Sequence, residues 1–149
     1  MRTAVDGGTV TRPIEEIEDE TGVVTKYRRH LNGRGRVASK AKVHPSAFIE
    51  SSAYVESDAQ VGQNTWIGAG SWVDRGAVLS DGVFVGANVH IGRGVLVGRG
   101  ARLGSNSRIE ADVRIGDETR VERDTRVVED LGWSERRRTS PADGFAKAA

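Results

Sequence analysis

Histidine is the side chain best suited to move protons near neutral pH, and this sequence has three: His30, His44 and His90. A single histidine in a cleft can act as a general base, taking the proton from a hydroxyl or amine as that group attacks an electrophile. Three histidines around one point can hold zinc. His90 lies within Asn88-Val89-His90-Ile91-Gly92, His44 opens His44-Pro45-Ser46-Ala47, and His30 stands well before both. Cysteine is absent, which excludes a thiolate nucleophile, thiolate zinc sites and disulfides. No phosphate loop, Ser/His/Asp arrangement or paired-carboxylate site is supported by the spacing. Which histidine can act therefore depends on the elements that carry them.

The chain has 149 residues, enough for one domain with a core. Twenty-two Lys+Arg against 21 Asp+Glu leave a formal charge of +1, so no global field draws it to nucleic acid or to an anionic membrane. There is no run of 18 apolar residues and no apolar leader after Met1, so the expectation is a soluble, cytoplasmic chain. Nineteen glycines beside three prolines and a predominance of Val among the aliphatics favour strands and turns over helices.

A period of six organises the sequence. From Val37 to Val127 every sixth residue is aliphatic, passing through Val55, Val73, Ile91 and Ile109 without interruption. Two residues before each aliphatic lies a small or β-branched residue, for example Ala53, Ser71, Val89 and Ser107, which alternation places on the same inward face. Three residues after each aliphatic comes Gly, Asn or Asp at most steps (Asn64, Gly70, Asn88, Gly94), types that accept a left-handed corner; Glu118 breaks this pattern. Short strands joined by tight corners cannot close a core within one hexad, so successive turns must stack. Three hexads make an 18-residue triangular coil. Residues 37–127 then form about five coils at the ordinary strand spacing of about 4.8 Å, a prism roughly 24 Å long.

The residue between each inward pair points outward. On the first face these are Lys42, Gln60, Val78, Leu96 and Arg114; on the second Phe48, Trp66, Phe84, Arg102 and Arg120; on the third Tyr54, Trp72, His90, Arg108 and Arg126. Five of the eight aromatics thus fall on two adjacent faces, and the corner between those faces is small at Ser51, Ala69, Ala87 and Ser105. Exposed aromatic ladders mark interfaces. The expected assembly is a homotrimer with Phe48, Tyr54, Trp66, Ala69, Trp72, Phe84, Ala87 and His90 at the contact, a heterologous interface that closes as a ring. The arginine ladder of the last coils lies among Glu110, Asp112, Asp117, Glu118, Glu122 and Asp124, and reads as solvated, ion-paired surface.

The hexads, together with the opening Val43-His44-Pro45-Ser46-Ala47-Phe48-Ile49, resemble the left-handed parallel β-helix of the hexapeptide-repeat superfamily over residues 37–128. The resemblance implies an all-β fold of about five triangular coils over 37–128. The flanks read from their own residues: an N-terminal arm in 1–36 with a hairpin over 9–31, and a short cap with a disordered tail in 129–149 that contains Arg136-Arg137-Arg138. Within the arm, the acidic run Glu15–Glu20 and the segment Val23–Arg29 pair across a Thr21-Gly22 turn.

The superfamily includes acyltransferases, zinc-dependent carbonic anhydrases and proteins with no known chemistry. Its acyltransferases use a histidine to activate an acceptor for attack on a thioester, commonly two residues after an aliphatic, whereas His90 comes one residue before Ile91. The three histidines are too dispersed for the zinc branch, so no metal is expected. Fifteen consecutive hexad steps carry no loop insertion that could form a lid. The leading expectation is therefore a non-catalytic, trimeric scaffold or protein-binding module that engages a partner through its ends or tails and needs no cofactor. The alternative is an acyltransferase that moves an acyl group from a coenzyme A thioester to a sugar or amine at the subunit interface, with His90 as the catalytic base.

Overall fold

A computed structural model describes residues 14–18 and 20–133. Within them every regular element is a strand. Strand β1 (Ile14–Glu18) pairs antiparallel with β2 (Val24–Arg29), Glu15 opposite Tyr27 and Glu18 opposite Val24. Strand β2 pairs antiparallel with β3 (Arg36–Ala38), which is the first edge of the prism. Two-residue strands then recur every six residues, from β4 (Lys42–Val43) to β18 (Arg126–Val127).

These short strands stack in parallel into three sheets, the faces of a left-handed β-helix. Lys42, Gln60, Val78, Leu96 and Arg114 stand in register on one face, and Phe48, Trp66, Phe84, Arg102 and Arg120 on the next. The third face carries Tyr54, Trp72, His90, Arg108 and Arg126 in register, and is extended by the hairpin to eight strands. The hairpin thus continues the third sheet at its N-terminal edge.

The hexad's inward rows form the core. Val37, Val55, Val73, Ile91 and Ile109 are fully buried, as are Ala53 and Ala59. Where the small row is polar, its hydroxyls bond backbone. Ser71 Oγ donates to the Gly86 carbonyl (2.7 Å) and accepts from the Val89 amide (3.1 Å), while Thr65 Oγ1 donates to Ser80 O (2.9 Å). Buried hydroxyls are tolerated because both their functions are satisfied.

The left-handed corners occur at Asn64, Asn88, Asn106 and Asp112, with the expected glycines between them. Glu118, which the sequence pattern sets apart, takes the same conformation at φ 56°. Its amide donates to Arg99 O one coil earlier (2.8 Å), just as Asn106 donates to Ala87 O. The stacking hydrogen bond therefore outweighs the ~1–2 kcal/mol that a residue with a Cβ loses there.

Glycine directly after the aliphatic has a different cause. A Cβ on Gly68 would lie 2.6 Å from Gly86 O of the next coil, so the site is closed by backbone.

The hairpin is held by charge and by one tyrosine. Glu15 accepts from Arg36 Nε (2.7 Å) and Arg29 Nε (3.1 Å). The Arg36 guanidinium, with Arg29 beside it, holds the Glu15 carboxyl below its ordinary value of 4.5. Tyr27 is buried edge-on against Tyr54 at 5.5 Å and donates to Glu56 Oε1 (2.6 Å). Burial, then the Glu56 bond, pushes its phenol upward. At the far end Leu131 bridges Ile115, and Arg114 pairs with Asp130 (3.0 Å) and lies over the Trp133 ring. Residues 9–13 of the expected hairpin segment, Asp19, and the expected tail with Arg136-Arg137-Arg138 lie outside the described residues.

Two outcomes follow from this architecture. Gly68→Ala should destabilise the prism by about 1–3 kcal/mol, read as a lower urea midpoint, because the new methyl meets backbone that cannot swing away. An unchanged midpoint would show that the coils can part without cost. Because the Glu15 carboxyl is depressed, its contribution is present above pH 4.5 and is lost as pH falls through the lower folded value. Amide exchange at Ile17 and Thr25, corrected for intrinsic rate, should therefore speed up in acid while the core coils stay protected.

Candidate functional site

The strand that carries His90 is two residues long, with Val89 and Ile91 locked into the core on either side. That alternation turns the imidazole outward, where it stacks on Trp72 of the preceding coil at 4.6 Å between ring centres and a 32° tilt. Trp72 is fixed in turn, its Nε1 donating to Glu56 Oε2 (2.7 Å), the carboxylate whose other oxygen holds Tyr27. His90 Nε2 lies 3.5 Å from Asp74 Oδ2, an electrostatic contact longer than a good hydrogen bond. Both ring nitrogens are shielded from water without a hydrogen-bond partner among the described residues. A buried polar atom without a partner is uncommon and calls for a physical reason.

His90 and Asp74 line a groove of about 630 Å³. Its other walls include Arg75, Arg93 and Arg108, with Thr21 and Val23 of the hairpin turn across from them. Arg108 pairs with Glu110 at 3.0 Å. Arg75 and Arg93 make no side-chain hydrogen bond or ion pair among the described residues. A histidine beside a carboxylate can take up a proton and have the resulting cation stabilised, the minimum equipment of a general base.

The expected interface residues fall into two stacks with a small corner between them. Phe48 and Trp66 stack at 4.0 Å, Phe84 follows Trp66 in register, and Arg102 covers Phe84 at 4.8 Å. Trp66, Trp72 and Phe84 are 45, 44 and 37% exposed. Tyr54 differs, because Tyr27 of the hairpin covers it. Ala69 is exposed and Ala87 half-buried at the corner between these faces, and their carbonyls take the Asn88 and Asn106 amides.

The other histidines have local structural partners. His30 is buried with Nε2 2.8 Å from Ala47 O, and His44 Nδ1 sits 2.8 Å from Ser46 Oγ at a corner. Of the arginine ladder, Arg108 and Arg126 share Glu110, and Arg114 pairs with Asp130. The Arg126 guanidinium, with Arg108 adding to it, holds the Glu110 carboxyl below its ordinary range.

A second groove, of about 790 Å³, runs along the first face past Lys42, Gln60, Val78 and Arg99. Reading outward positions alone misses Asp74, Arg75, Arg93 and Glu56, which lie at or beside the corner. The available signal was an acid at residue i with a ring or guanidinium at i+16, as in Glu56 and Trp72, Asp74 and His90, and Glu110 and Arg126.

Among solved structures, the chain is similar to a mutant of perosamine N-acetyltransferase from Caulobacter crescentus, in complex with CoA and GDP-perosamine. Identity is 32% over 64% of this chain and 48% of that one, with a TM-score of 0.38. The acetyltransferase domain of PglB from Neisseria gonorrhoeae, in complex with acetyl coenzyme A, is 23% identical over 64% and 49% of the two chains, with a TM-score of 0.42. A UDP-N-acetylglucosamine acyltransferase of Francisella novicida is 16% identical over 64% and 56%, with a TM-score of 0.35. The chain spans about half the length of these proteins. No curated protein matches it significantly. Its coils are those of a left-handed parallel β-helix. A family model described as the GMPPB C-terminal domain matches residues 37–131, well over half of the sequence, and the chain belongs to that family.

Proposed function

We propose that the protein is an acyltransferase of the hexapeptide type, acting as a homotrimer, with His90 as base and Asp74 as the residue that orients it. The observation that carries this reading is the His90–Asp74 contact of 3.5 Å in a groove, with both ring nitrogens lacking a hydrogen-bond partner among the described residues. A scaffold needs no such arrangement, and unpartnered ring nitrogens are costly unless something is to meet them. His90 would take the proton from an acceptor hydroxyl or amine as that atom forms its bond to the acyl carbon. Asp74 would stabilise the resulting imidazolium.

The donor, an acyl-coenzyme A, supplies the activated acyl group, and the thiol leaves with a proton. Coenzyme A is the ligand named for the perosamine N-acetyltransferase, and the proposal extends it to this chain. Acceptor access to His90 requires the turn residues Thr21 and Val23 to yield. They are exposed, and the hairpin behind them is held by Glu15 and Tyr27.

The trimer reading rests on the two exposed aromatic stacks and the small corner between them. Packing one subunit's second face on the next subunit's third face would bury Trp66, Phe84 and Trp72 and bring Ala69 and Ala87 towards the three-fold axis. A non-catalytic scaffold remains the second reading, favoured by the uninterrupted coils, which carry no inserted loop from Lys42 to Val127.

The two readings separate in the test tube. Acetyl-coenzyme A should bind saturably below millimolar concentration, and His90→Ala should keep the wild-type mass in light scattering while losing about a hundredfold or more in transfer to an amino-sugar panel. No donor binding at millimolar concentration would leave the scaffold reading, and full activity in His90→Ala would remove the base. Ala69→Arg should split the trimer, because three like charges would meet near the axis without partners. An unchanged trimer mass would show that a different edge lies at the centre.

A further inference from the structure

Along the corner that follows the third face, the residue after each aliphatic is Glu56, Asp74, Gly92 and Glu110 on successive coils. Each acid faces the outward residue of the next coil, sixteen positions on. Glu56 accepts from Trp72 (2.7 Å), Asp74 contacts His90 (3.5 Å), and Glu110 accepts from Arg126 (2.8 Å). The series breaks at Gly92, whose counterpart is Arg108. With no acid below it, Arg108 turns to Glu110 of its own coil and shares the same Oε2 atom that binds Arg126. One carboxylate oxygen thus serves two guanidiniums, and the place of a carboxylate between Asp74 and Glu110 is open.

The groove coincides with this gap. Gly92 lies among its lining residues with Arg93, Arg75 and Arg108 around it. Arg75 and Arg93 sit on the same corner one coil apart and make no side-chain ion pair among the described residues. The chain itself does not refill the gap, because a Cβ on Gly92 would stand 2.7 Å from Ile109 O and 2.8 Å from Ala111 N. Close stacking of the coils therefore excludes an acidic side chain at a position whose groove is lined by three arginines beside Asp74 and Glu110.

We propose that the acceptor molecule carries an oxyanion, a carboxylate or a phosphate, that seats at Gly92 in place of the missing acid, against Arg93, Arg75 and Arg108. Charge-assisted contacts to guanidinium groups in a partly enclosed groove are the strong kind, and arginine's fork matches a carboxylate or phosphate edge. Gly92 is two residues from His90, roughly 7 Å along an extended chain. The anionic group of the acceptor and its nucleophilic atom must therefore be close together, which selects small acidic amino or hydroxy compounds and sugar phosphates over neutral sugars. The donor's phosphates do not meet this condition, since a long pantetheine arm separates them from the thioester. The inference rests on the acyl-transfer reading for the word acceptor, whereas the oxyanion seat itself requires no turnover.

The test has a binding arm and a turnover arm, both on the full chain. Inorganic phosphate and acetate are titrated at constant ionic strength while the amide resonances of Gly92, Arg93 and Arg108 are followed. Saturable shifts confined to that corner are expected with at least one of the two, and the one that binds tells a phosphate ligand from a carboxylate ligand. The Arg75→Gln, Arg93→Gln double variant should weaken that binding by about tenfold or more, whereas Arg99→Gln, in the groove on the first face, should leave it unchanged. With acetyl-coenzyme A, glucosamine 6-phosphate or serine should be acetylated at least about tenfold more efficiently than glucosamine, and the double variant should erase that preference. Shifts that never saturate, or equal affinity in the double variant, would overturn the oxyanion seat. Anion binding without any transfer would overturn the acyltransferase reading and leave the seat standing.

Discussion

The structure depends on one repeated hydrogen bond, in which the amide of an outward residue donates to the carbonyl of the next coil. Trp72 N reaches Val89 O at 2.8 Å and His90 N reaches Ser107 O at 3.1 Å. For that bond to recur, each coil must be 18 residues long, and each corner must place a residue in the left-handed region at the same step. An insertion of one residue would turn every later inward side chain to solvent. The hexad is therefore the register condition of three parallel sheets as well as a hydrophobic pattern.

Stacking at this register converts sequence spacing into columns. Residues 18 apart lie one above another, so Tyr54, Trp72, His90 and Arg108 form a single outward column in which each ring or guanidinium has one neighbour above and one below. The column is closed at its N-terminal end by Tyr27, which packs on Tyr54 and through Glu56 also fixes Trp72. Electrostatics enters from an adjacent column of corner acids, offset so that an acid of one coil meets a donor of the next. Most of these contacts are partly exposed, so each contributes little to stability on its own. Their effect is to orient Trp72 and His90, which matters more for a site than for the fold.

The three faces, their register and the inward rows were legible in the sequence because period-two alternation and period-six corners leave no alternative that buries Val37 through Val127 together. The outward aromatics were legible for the same reason. Three features were not. The corner conformation of Glu118 could not be read from its residue type, since the constraint is the bond from its amide to Arg99 O rather than its own preference. The covering of Tyr54 was hidden because it depends on where a hairpin outside the repeat docks, and that is set by Glu15 meeting Arg29 and Arg36 across three strands. The pairing of Asp74 with His90 was missed because it runs at a spacing of sixteen, which neither the hexad nor the coil length suggests until the lean of a side chain between coils is known.

Gly92 shows how the stacking constraint and the site meet. On the first and second faces the residue after the aliphatic is commonly glycine, as at Gly62, Gly68, Gly86, Gly98 and Gly104, because the next coil's backbone approaches too closely for a Cβ. On the third face three of the four successive positions instead carry Glu56, Asp74 and Glu110, so this corner is wide enough for side chains on either side of the gap. Gly92 is the place where close approach returns, its Cβ position blocked by Ile109 and Ala111. The same steric rule that places these glycines on the other two faces therefore interrupts the acid column on the third. It does so beside the histidine and between two arginines that no side chain of the described residues neutralises. The column of corner acids is thus interrupted beside His90, at a position where the backbone of the next coil leaves no room for a side chain.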